Sequence, residues 1–415
     1  MEVRPGYKQT ELGVIPEDWA VEDIAACAES ASGTTPARAA AERYFHDGTI
    51  PWVKTLDLNN SVIKETDECV TETALRETSL KLYPAGSVLV AMYGGFAQIG
   101  RTGYLPFPAT INQALTAICP EDRKLDSKYL IYFLNYHVGY WKSVASSSRK
   151  DPNITGNDVR KFPISLPPIK EQRAIATALS DADALLDGLT RLIAKKRDLK
   201  QATMQQLLTG QTRLPGFSGE WEVKRIGEFT DCSAGGTPST KIAEYWNGAI
   251  PWMNSGELNL KQVYAVEGRI TEAGLANSST KMIPAKCVLI GLAGQGKTRG
   301  TVAMNHLELC TNQSIAAIFP NESFIPEYLY YNLDNRYDEL RELSMGDGGR
   351  GGLNLRIIKS ISLPFPPVTE QSAIATVLSG MDAELAALDA RLTKTRALKQ
   401  AMMSELLTGK TRLRT

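Results

Sequence analysis

One segment of the chain has the residue spacing of a nucleotide-binding loop. Residues Gly291 to Thr298 fit the pattern G-x-x-x-x-G-K-[ST], with Lys297 at the lysine position. In a P-loop the backbone amides and this lysine bind phosphates, and the loop must open a helix. Here the pattern is followed by Arg-Gly-Thr-Val, which indicates a loop and then a strand. The sequence therefore favours a glycine hairpin, with a P-loop NTPase as the enzymatic alternative.

Other catalytic or metal-binding patterns are not recognisable in the sequence. The six cysteines form no C-x-x-C pair, and the three histidines lie in no known motif. A zinc site needs clustered cysteine or histidine ligands. Acid–base chemistry would depend on carboxylates, and no spacing singles any of them out. We therefore expect a non-catalytic binding protein, with no metal and no cofactor of its own.

The charge balance limits how the chain could bind nucleic acid. Lys+Arg and Asp+Glu both number 46, so the formal net charge is zero. A uniformly basic surface is excluded, and a nucleic-acid site must be a local patch or a surface that a partner completes. The polar N-terminus, the scattered cysteines and the absence of an 18-residue apolar run predict a cytoplasmic protein that does not enter a membrane.

The chain contains an internal repeat with a period of about 200 residues. Residues 170–214 recur as residues 369–413, and more than half of the paired positions are identical. Asn112-Gln113 also recurs as Asn312-Gln313. The halves diverge most between such anchors, where residues 92–97 face 292–297 and residues 146–156 face 345–352. This pattern indicates one scaffold used twice with different loops. Further matched pairs are Trp19 with Trp221 and Trp52 with Trp252.

Each half begins with a mixed region of about 150 residues and ends with a proline block and a long helix. Short apolar runs predict strands at Val88–Met92 and Val288–Leu292, and helical patterns lie at Tyr129–His137 and Glu327–Leu343. The predicted divisions are a first mixed domain over 1–167, a first long helix over 168–210, a linker over 211–219, a second mixed domain over 220–366, a second long helix over 367–409 and a tail over 410–415.

The long helices carry apolar residues at alternating spacings of four and three, which is typical of a coiled coil. At 1.5 Å per residue, ~38 residues make a helix roughly 57 Å long, whose single apolar stripe needs a partner helix. The nearest partner is its own duplicate. The predicted fold is therefore α+β, with two pseudo-symmetric mixed α/β domains joined by two long antiparallel helices that form a coiled-coil spacer. The predicted packing residues are Ile175, Leu179, Leu186, Leu189, Ile193, Ile374, Leu378, Leu385, Leu388 and Leu392.

The divergent loops carry side chains suited to DNA. Arginine and lysine suit phosphates and guanine edges, and asparagine and glutamine suit adenine edges. Each such residue is also an ordinary surface residue, so a coiled-coil adaptor without DNA contact stays open as an alternative. The basic run from Arg191 to Lys200 is more typical of the solvated face of a coiled coil than of a phosphate contact. The candidate DNA-binding residues are Arg38, Lys54, Tyr93, Arg101, Arg149 and Lys150 in the first half and Lys241, Asn254, Gln295, Lys297, Arg299 and Arg350 in the second.

Several short motifs, in the same order in both halves, resemble the specificity (S) subunits of type I restriction–modification systems. They are the opener from Thr10 to Trp19, the segment from Tyr245 to Trp252, the Glu-Gln pairs that start the long helices (Glu171-Gln172 and Glu370-Gln371), the Leu-Leu-Thr-Gly helix ends, and the segment from Arg213 to Trp221. The resemblance covers essentially the whole chain.

The resemblance implies a function and a set of partners. Each mixed region would be a target recognition domain that binds one part of a split, asymmetric double-stranded DNA sequence. The long helices would hold two modification (M) subunits, which carry S-adenosylmethionine and methylate adenine. Restriction (R) subunits would add ATP-driven translocation and Mg-dependent nuclease activity. On this resemblance the chain itself is the non-catalytic specificity subunit.

Overall fold

The chain divides into two compact units. The computed structural model describes residues 4–145, 152–294, 297–344 and 352–413. The first unit comprises Met1–Leu189 and Arg391–Thr415, and the second comprises Thr190–Ala390. The units do not coincide with the sequence halves. Each contains one mixed region, the start of the long helix that follows it, and the end of the other long helix.

The mixed region of the first unit consists of short strands and short helices. Its strands are β1 (Tyr7–Thr10), β2 (Gly13–Pro16), β3 (Ala20–Asp23), β4 (Ala28–Ser32), β5 (Ile50–Val53), β6 (Ser61–Val62), β7 (Glu68–Val70), β8 (Val88–Ala91), β9 (Thr102–Tyr104), β10 (Thr110–Ile111), β11 (Leu115–Pro120) and β12 (Pro163–Leu166). Its helices are α1 (Ile24–Cys27), α2 (Ala41–Tyr44), α3 (Glu72–Glu77), α4 (Ser127–Tyr136), α5 (Val138–Val144) and α6 (Gly156–Arg160), followed by the long α7 (Ile169–Leu208).

A five-stranded sheet in the order β4-β11-β8-β9-β6 forms the centre of this region. Strands β8 and β9 form an antiparallel hairpin, with Val88 opposite Tyr104. Successive residues of β8 point to opposite faces of the sheet. Val88 and Val90 therefore join one core cluster and Leu89 and Ala91 another, and all four are fully buried. This burial on both faces explains why the strand is a continuous apolar run.

The larger core cluster of the first unit joins the sheet to both long helices. Its aromatic centre includes Trp141 and Phe162, whose rings stack with centroids 4.6 Å apart. Leu179 of α7 is fully buried in the same cluster, together with Leu406 from the end of the other long helix. The core of the first unit therefore includes residues from both long helices.

The second unit repeats this plan. Its strands are β13 (Glu222–Arg225), β14 (Cys232–Ala234), β15 (Trp246–Met253), β16 (Gln262–Val263), β17 (Arg269–Ile270), β18 (Met282–Ile283), β19 (Val288–Gly291), β20 (Val302–Asn305), β21 (Leu309–Thr311), β22 (Ile315–Ile318) and β23 (Ser362–Phe365). Its helices are α8 (Ile226–Phe229), α9 (Glu272–Ala276), α10 (Pro326–Asp334), α11 (Tyr337–Leu343) and α12 (Leu355–Ser360), followed by the long α13 (Val368–Leu406).

The central sheet of the second unit has the equivalent order, β14-β22-β19-β20-β16. Val288 lies opposite Met304 in its central hairpin, the register found for Val88 and Tyr104 in the first unit. Leu378 of α13 and Leu207 from the end of α7 are buried in its main core cluster. The predicted fold is confirmed: two mixed domains are connected by two long helices.

The duplicated Glu-Gln pair positions the start of each long helix. Gln172 donates a 2.9 Å hydrogen bond to the carbonyl of Pro167 and accepts one of 2.9 Å from the amide of Asp126, which caps α4. Gln371 makes the same two kinds of bond, 2.8 and 2.9 Å long, to a proline carbonyl before α13 and to the residue that precedes α10. One side chain therefore links the start of each long helix to its mixed domain.

The glutamate of each pair receives an arginine from beyond the end of the other long helix. Arg412 donates two hydrogen bonds of 2.7 Å to Glu171 and two of 2.8 Å to Asp18. In the second unit, Arg213 donates two of 2.6 Å to Glu370. Both glutamates are buried, and a buried carboxylate requires such a partner. The pairs hold the end of one helix beside the start of the other within each unit.

A glycine after each long helix turns the chain so that the following arginine reaches its glutamate. Helix α7 ends at Leu208 and α13 at Leu406, and the backbone then turns at Gly210 (φ 73°) and Gly409 (φ 69°). A left-handed conformation at this position terminates a helix and favours glycine. The duplicated Leu-Leu-Thr-Gly motif is therefore a helix stop.

The helix segments in each unit are antiparallel and are joined by polar networks. In the first unit, Asp183 of α7 binds Lys399 of α13 and accepts a 2.8 Å bond from Tyr132 of α4. The equivalent network in the second unit joins Asp382, Lys200 and Tyr331, with a tyrosine–aspartate bond of 2.7 Å. Since residues 171 and 183 pair with residues 412 and 399, numbering rises along one segment as it falls along the other.

The basic run of α7 contributes to this pairing. Lys196 lies 2.7 Å from Glu384, and Arg197 lies 3.1 Å from Asp389. The run is largely exposed, as its interpretation as a solvated face predicts, but its partners on α13 are some 190 residues away in the sequence and cannot be found from a local pattern. Salt bridges at exposed positions contribute only about 0–1 kcal/mol each, so they specify pairing more than they stabilise it.

The predicted packing residues differ in burial. The half-buried ones lie three or four residues from Asp183, Asp382 or Glu384, on the helix face that carries the ion pairs. The buried residues are Ile175, Leu179, Leu189, Ile193, Ile374, Leu378 and Leu392, and the half-buried residues are Leu186, Leu385 and Leu388.

One predicted element is wrong in detail. The helical pattern over Glu327–Leu343 is two helices, α10 and α11, which meet at Asn335 and Arg336. At the break, the guanidinium of Arg336 donates to the carbonyl of Ser362 at 2.8 Å. This contact is with β23, outside the segment, so local periodicity does not contain it.

Leu179→Ala tests the contribution of α7 to the first core. The truncation leaves a cavity, and we expect the free energy of unfolding to fall by about 2–5 kcal/mol. The matched control is Leu185→Ala on the same helix, where the side chain is 43% exposed and the expected change is within about 0.5 kcal/mol. Urea unfolding followed by tryptophan fluorescence measures both, and equal effects would contradict this packing.

Candidate nucleic-acid interface

The segment with the P-loop spacing lies in a β-hairpin. It begins at the end of β19, and the chain returns as the antiparallel strand β20. The hairpin is closed by bonds from the Gly291 amide to the Thr301 carbonyl (3.0 Å) and from the Gly300 amide to the Gly291 carbonyl (2.9 Å). A P-loop requires a helix where this strand stands. The favoured glycine hairpin is confirmed, and the NTPase alternative is wrong.

The loop of this hairpin and its counterpart between β8 and β9 carry predicted DNA-binding residues. Tyr93 is 42% exposed, and the Arg101 guanidinium donates to Gln98 at 2.7 Å. Lys297 is exposed. Arg299 is half-buried, and its Nε atom has no hydrogen-bond partner among the described residues. Each loop therefore presents a different set of donors at the same place in its sheet.

Arg38 and Lys54 share one carboxylate. Arg38 donates two 2.8 Å bonds to Glu68, and the Lys54 ammonium lies 3.2 Å from the same group. The hydrogen bonds from Arg38, assisted by Lys54 and opposed by partial burial, lower the pKa of Glu68 to about 2. The Arg38 guanidinium also lies 4.2 Å above the ring of Phe45. DNA would have to compete with Glu68 for both cations.

The corresponding residues of the second unit have different surroundings. Asn254 caps a 3₁₀ turn (Ser255–Leu260): its oxygen accepts from Gly256 at 2.8 Å and its amino group donates to Glu257 at 2.8 Å. Lys241 is exposed. The amide of Asn254 is thus already hydrogen-bonded at both ends, which favours a structural role over adenine recognition.

Four of the predicted DNA-binding residues, Arg149, Lys150, Gln295 and Arg350, lie outside the described residues. Gln113 and Gln313, a repeated pair beside the divergent loops, are exposed and are not among the predicted DNA-binding residues.

Buried nucleophiles are not poised for chemistry. Burial raises the pKa of the Cys27 thiol to about 11 and that of Cys287 to about 12, and it lowers the pKa of His137 to about 4. Across the described ranges no three His, Cys, Asp or Glu side chains are grouped as metal ligands. None of the described helices is both long and apolar enough to cross a bilayer.

Comparison with known families identifies the repeat. The family model of the type I restriction modification DNA specificity domain matches residues 16–197 and, again, residues 218–395. The chain belongs to this family. The two mixed regions, β1 to β12 and β13 to β23, are named here the first and second recognition domains of this specificity subunit.

Relatives and solved structures agree with this membership. The EcoR124I/EcoR124II specificity subunit of Escherichia coli is 27% identical over 305 residues, which cover 72% of this chain and 74% of the relative. The putative MjaX specificity subunit of Methanocaldococcus jannaschii is 23% identical and covers 99% and 97%. The S subunit from M. genitalium has the same fold, with a TM-score of 0.62, 15% identity and 98% coverage of both chains.

As a type I specificity subunit, the chain is non-catalytic and recognises DNA, and the catalytic activities of such systems lie in other subunits. This agrees with the sequence-based expectation. It also removes the alternative of an adaptor without DNA contact, because both matched regions are DNA specificity domains.

Glu68→Gln tests the competition for Arg38 and Lys54. Removing the carboxylate frees Arg38, leaves Lys54 with only the more distant Asp67 at 3.6 Å, and removes one charge that repels phosphate. The complex with modification subunits should therefore bind its duplex about threefold to tenfold more tightly. The matched control is Glu77→Gln, which removes the partner of Arg43 at the surface of the same unit. Filter binding or fluorescence anisotropy measures the affinity. An unchanged DNA affinity for Glu68→Gln would show that Arg38 and Lys54 have a structural role and do not contact DNA.

Proposed function

We propose that this chain selects a bipartite, asymmetric double-stranded DNA sequence, one part per recognition domain, and holds the modification and restriction subunits of a type I complex around it. The observation that carries this proposal is the duplicated frame with divergent loops. Val88 and Val288 occupy the same register in equivalent sheets, while the hairpin loops that follow carry Tyr93 and Arg101 in one domain and Lys297 and Arg299 in the other.

The two recognition domains have equivalent sheets but different hairpin loops, which favours a DNA target whose two halves differ. Base edges are distinguished by the donors and acceptors of the side chains that meet them, whereas phosphate contacts carry no direct sequence information. Domains that shared their loops would select the same half-site twice. Since the loops differ in residue type at matched positions, we infer that each domain selects a different half-site.

The assembly role is assigned to the long helices. Leu192 and Leu199 of α7 are 40% and 46% exposed and lie seven residues apart, on one helix face. Exposed apolar residues in such a row are suited to a protein partner. We assign this role to two modification subunits, which bring S-adenosylmethionine, while restriction subunits bring ATP and Mg. The zero net charge fits a DNA surface that partners complete.

Exchange of residues 20–165 for those of a relative tests the division of the target. The exchanged segment carries β3 and most of β12, which pair with each other from Ala20 to Leu166, so the fold of the domain is preserved. We expect methylation mapping to show one half of the modified sequence changed and the other intact. The reciprocal exchange of residues 222–365 should change the other half. A change in both halves, or in neither, would contradict one half-site per domain.

Lys297→Ala tests whether the β19–β20 loop contacts phosphates. Loss of one phosphate contact reduces the steepness of log K against log salt by about 0.9. We expect this for the complex with modification subunits. The control Lys195→Ala, on an exposed position of α7, should leave the steepness unchanged. If both variants leave the slope of log K against log salt unchanged, Lys297 does not contact a phosphate.

A further inference from the structure

Each recognition domain presents an exposed glutamine at the tip of the same turn. In the first domain the turn runs from Asn112 to Leu115, whose amide donates to the Asn112 carbonyl at 3.1 Å, and the Asn112 side chain accepts from Ala114 at 3.2 Å. The second domain repeats both bonds around Gln313, at 3.2 and 3.1 Å. Gln113 and Gln313 are therefore placed by the backbone in the same way.

A threonine fixes the orientation of each glutamine. The hydroxyl of Thr35 donates to Oε1 of Gln113, and the hydroxyl of Thr237 donates to Oε1 of Gln313. With the oxygen held, the amino group becomes the donor that faces outward. In neither domain does this amino group bond to another residue of the described chain, so two N–H donors are available in each.

The turn that carries the threonine is held by several bonds at once. The Gly33 amide donates to the Leu115 carbonyl at 3.1 Å, and the Trp52 indole donates to the Thr34 carbonyl at 3.3 Å. A Cβ atom on Gly33 would lie 2.2 Å from the Ile111 carbonyl oxygen, so glycine is required by close approach.

The second domain repeats each of these features. The Gly235 amide donates to Ile315 at 3.2 Å, and the Trp252 indole donates to Gly236 at 3.0 Å. A Cβ on Gly235 would lie 2.1 Å from the Thr311 carbonyl oxygen. The same rigidly held threonine–glutamine pair is therefore present in both domains.

Each threonine–glutamine pair lies beside segments that differ between the domains. The Met92 amide, at the start of the β8–β9 loop, donates to the carbonyl of Ala114 at 2.8 Å, and the Ile154 amide donates to the Met92 carbonyl at 3.0 Å. The same two bonds, of 2.8 and 3.0 Å, join Leu292 to Ser314 and Leu353 to Leu292. Each glutamine is thus next to both divergent segments, and not on the long helices.

We propose that Gln113 and Gln313 donate hydrogen bonds to phosphate oxygens of the duplex, as the contact that positions each recognition domain on DNA regardless of sequence. The bond from threonine uses only the oxygen of each glutamine, which a glutamate could also supply, so it does not explain why the amino group is repeated. A residue that is the same on two surfaces selecting different bases must bind what the two half-sites share. That is the backbone, which accepts hydrogen bonds from amide donors. This inference rests on the proposed binding of one half-site by each domain.

The test uses the specificity subunit in complex with its modification subunits. For Gln113→Leu and Gln313→Leu we expect about fivefold weaker binding each, and about 25-fold for the double variant, since the sites are independent. The loss should be equal for the methylated target sequence and for a random duplex, with assembly and the methylated sequence unchanged. Gln211→Leu, at an exposed glutamine that is lysine in the other half, is the control.

A second substitution keeps the shape of the side chain and the bond from threonine. Gln113→Glu with Gln313→Glu replaces the free amino group by a carboxylate oxygen, which phosphate repels, so binding should weaken further than with leucine. Binding as tight as in the unsubstituted complex would overturn the proposal. A loss that depends on the base at one position would make the contact base-specific, and a loss of assembly would make it a protein contact. Absence of any sequence preference in the unsubstituted complex would instead refute the proposed function.

Discussion

The structure depends on two buried carboxylates, Glu171 and Glu370, each of which is neutralised by an arginine from beyond the end of the other long helix. Removing one partner of a buried ion pair typically costs about 3–5 kcal/mol, because the remaining charge is left without solvent. Neither pair can form unless the two helix segments of its unit run antiparallel and end at the right residue. Helix length, the stop at the following glycine and the pairing are therefore specified together.

This constraint explains why the repeat takes the form it does. Each compact unit contains one recognition domain but takes its helical support from both halves of the chain. The Glu-Gln pair, the Leu-Leu-Thr-Gly stop and the following arginine must then match across halves, and these are the segments in which the halves agree best. In the β8–β9 and β19–β20 hairpins the loop ends join the core, through Met92 and Ile99 in one unit and Leu292 in the other. The exposed loop residues beyond these anchors can diverge without loss of the support.

The sequence was sufficient for the fold and the family because both rest on patterns that are local or repeated: the 3.5-residue apolar period, the proline blocks and the duplicated motifs. What it missed depends on distant partners. The pairing of Arg38 and Lys54 with Glu68, the break at Arg336 and the partners of Lys196 and Arg197 all join residues that no local spacing connects. The same limit applies to the candidate site, where residue type suggested Asn254 for base recognition although its amide caps a turn.

Internal pairing of cations also bears on how a neutral chain could select a sequence. Phosphate binding is common to all duplexes, so strong, freely exposed positive charge would raise affinity for every site and reduce discrimination. In the first recognition domain Arg38 and Lys54 are held by Glu68, which must be displaced before either cation meets DNA. A contact that displaces an internal partner is favourable only where other contacts in the same half-site compensate for it. If Arg38 and Lys54 contact DNA, pairing of this kind would lower the affinity for random sequence more than for the target.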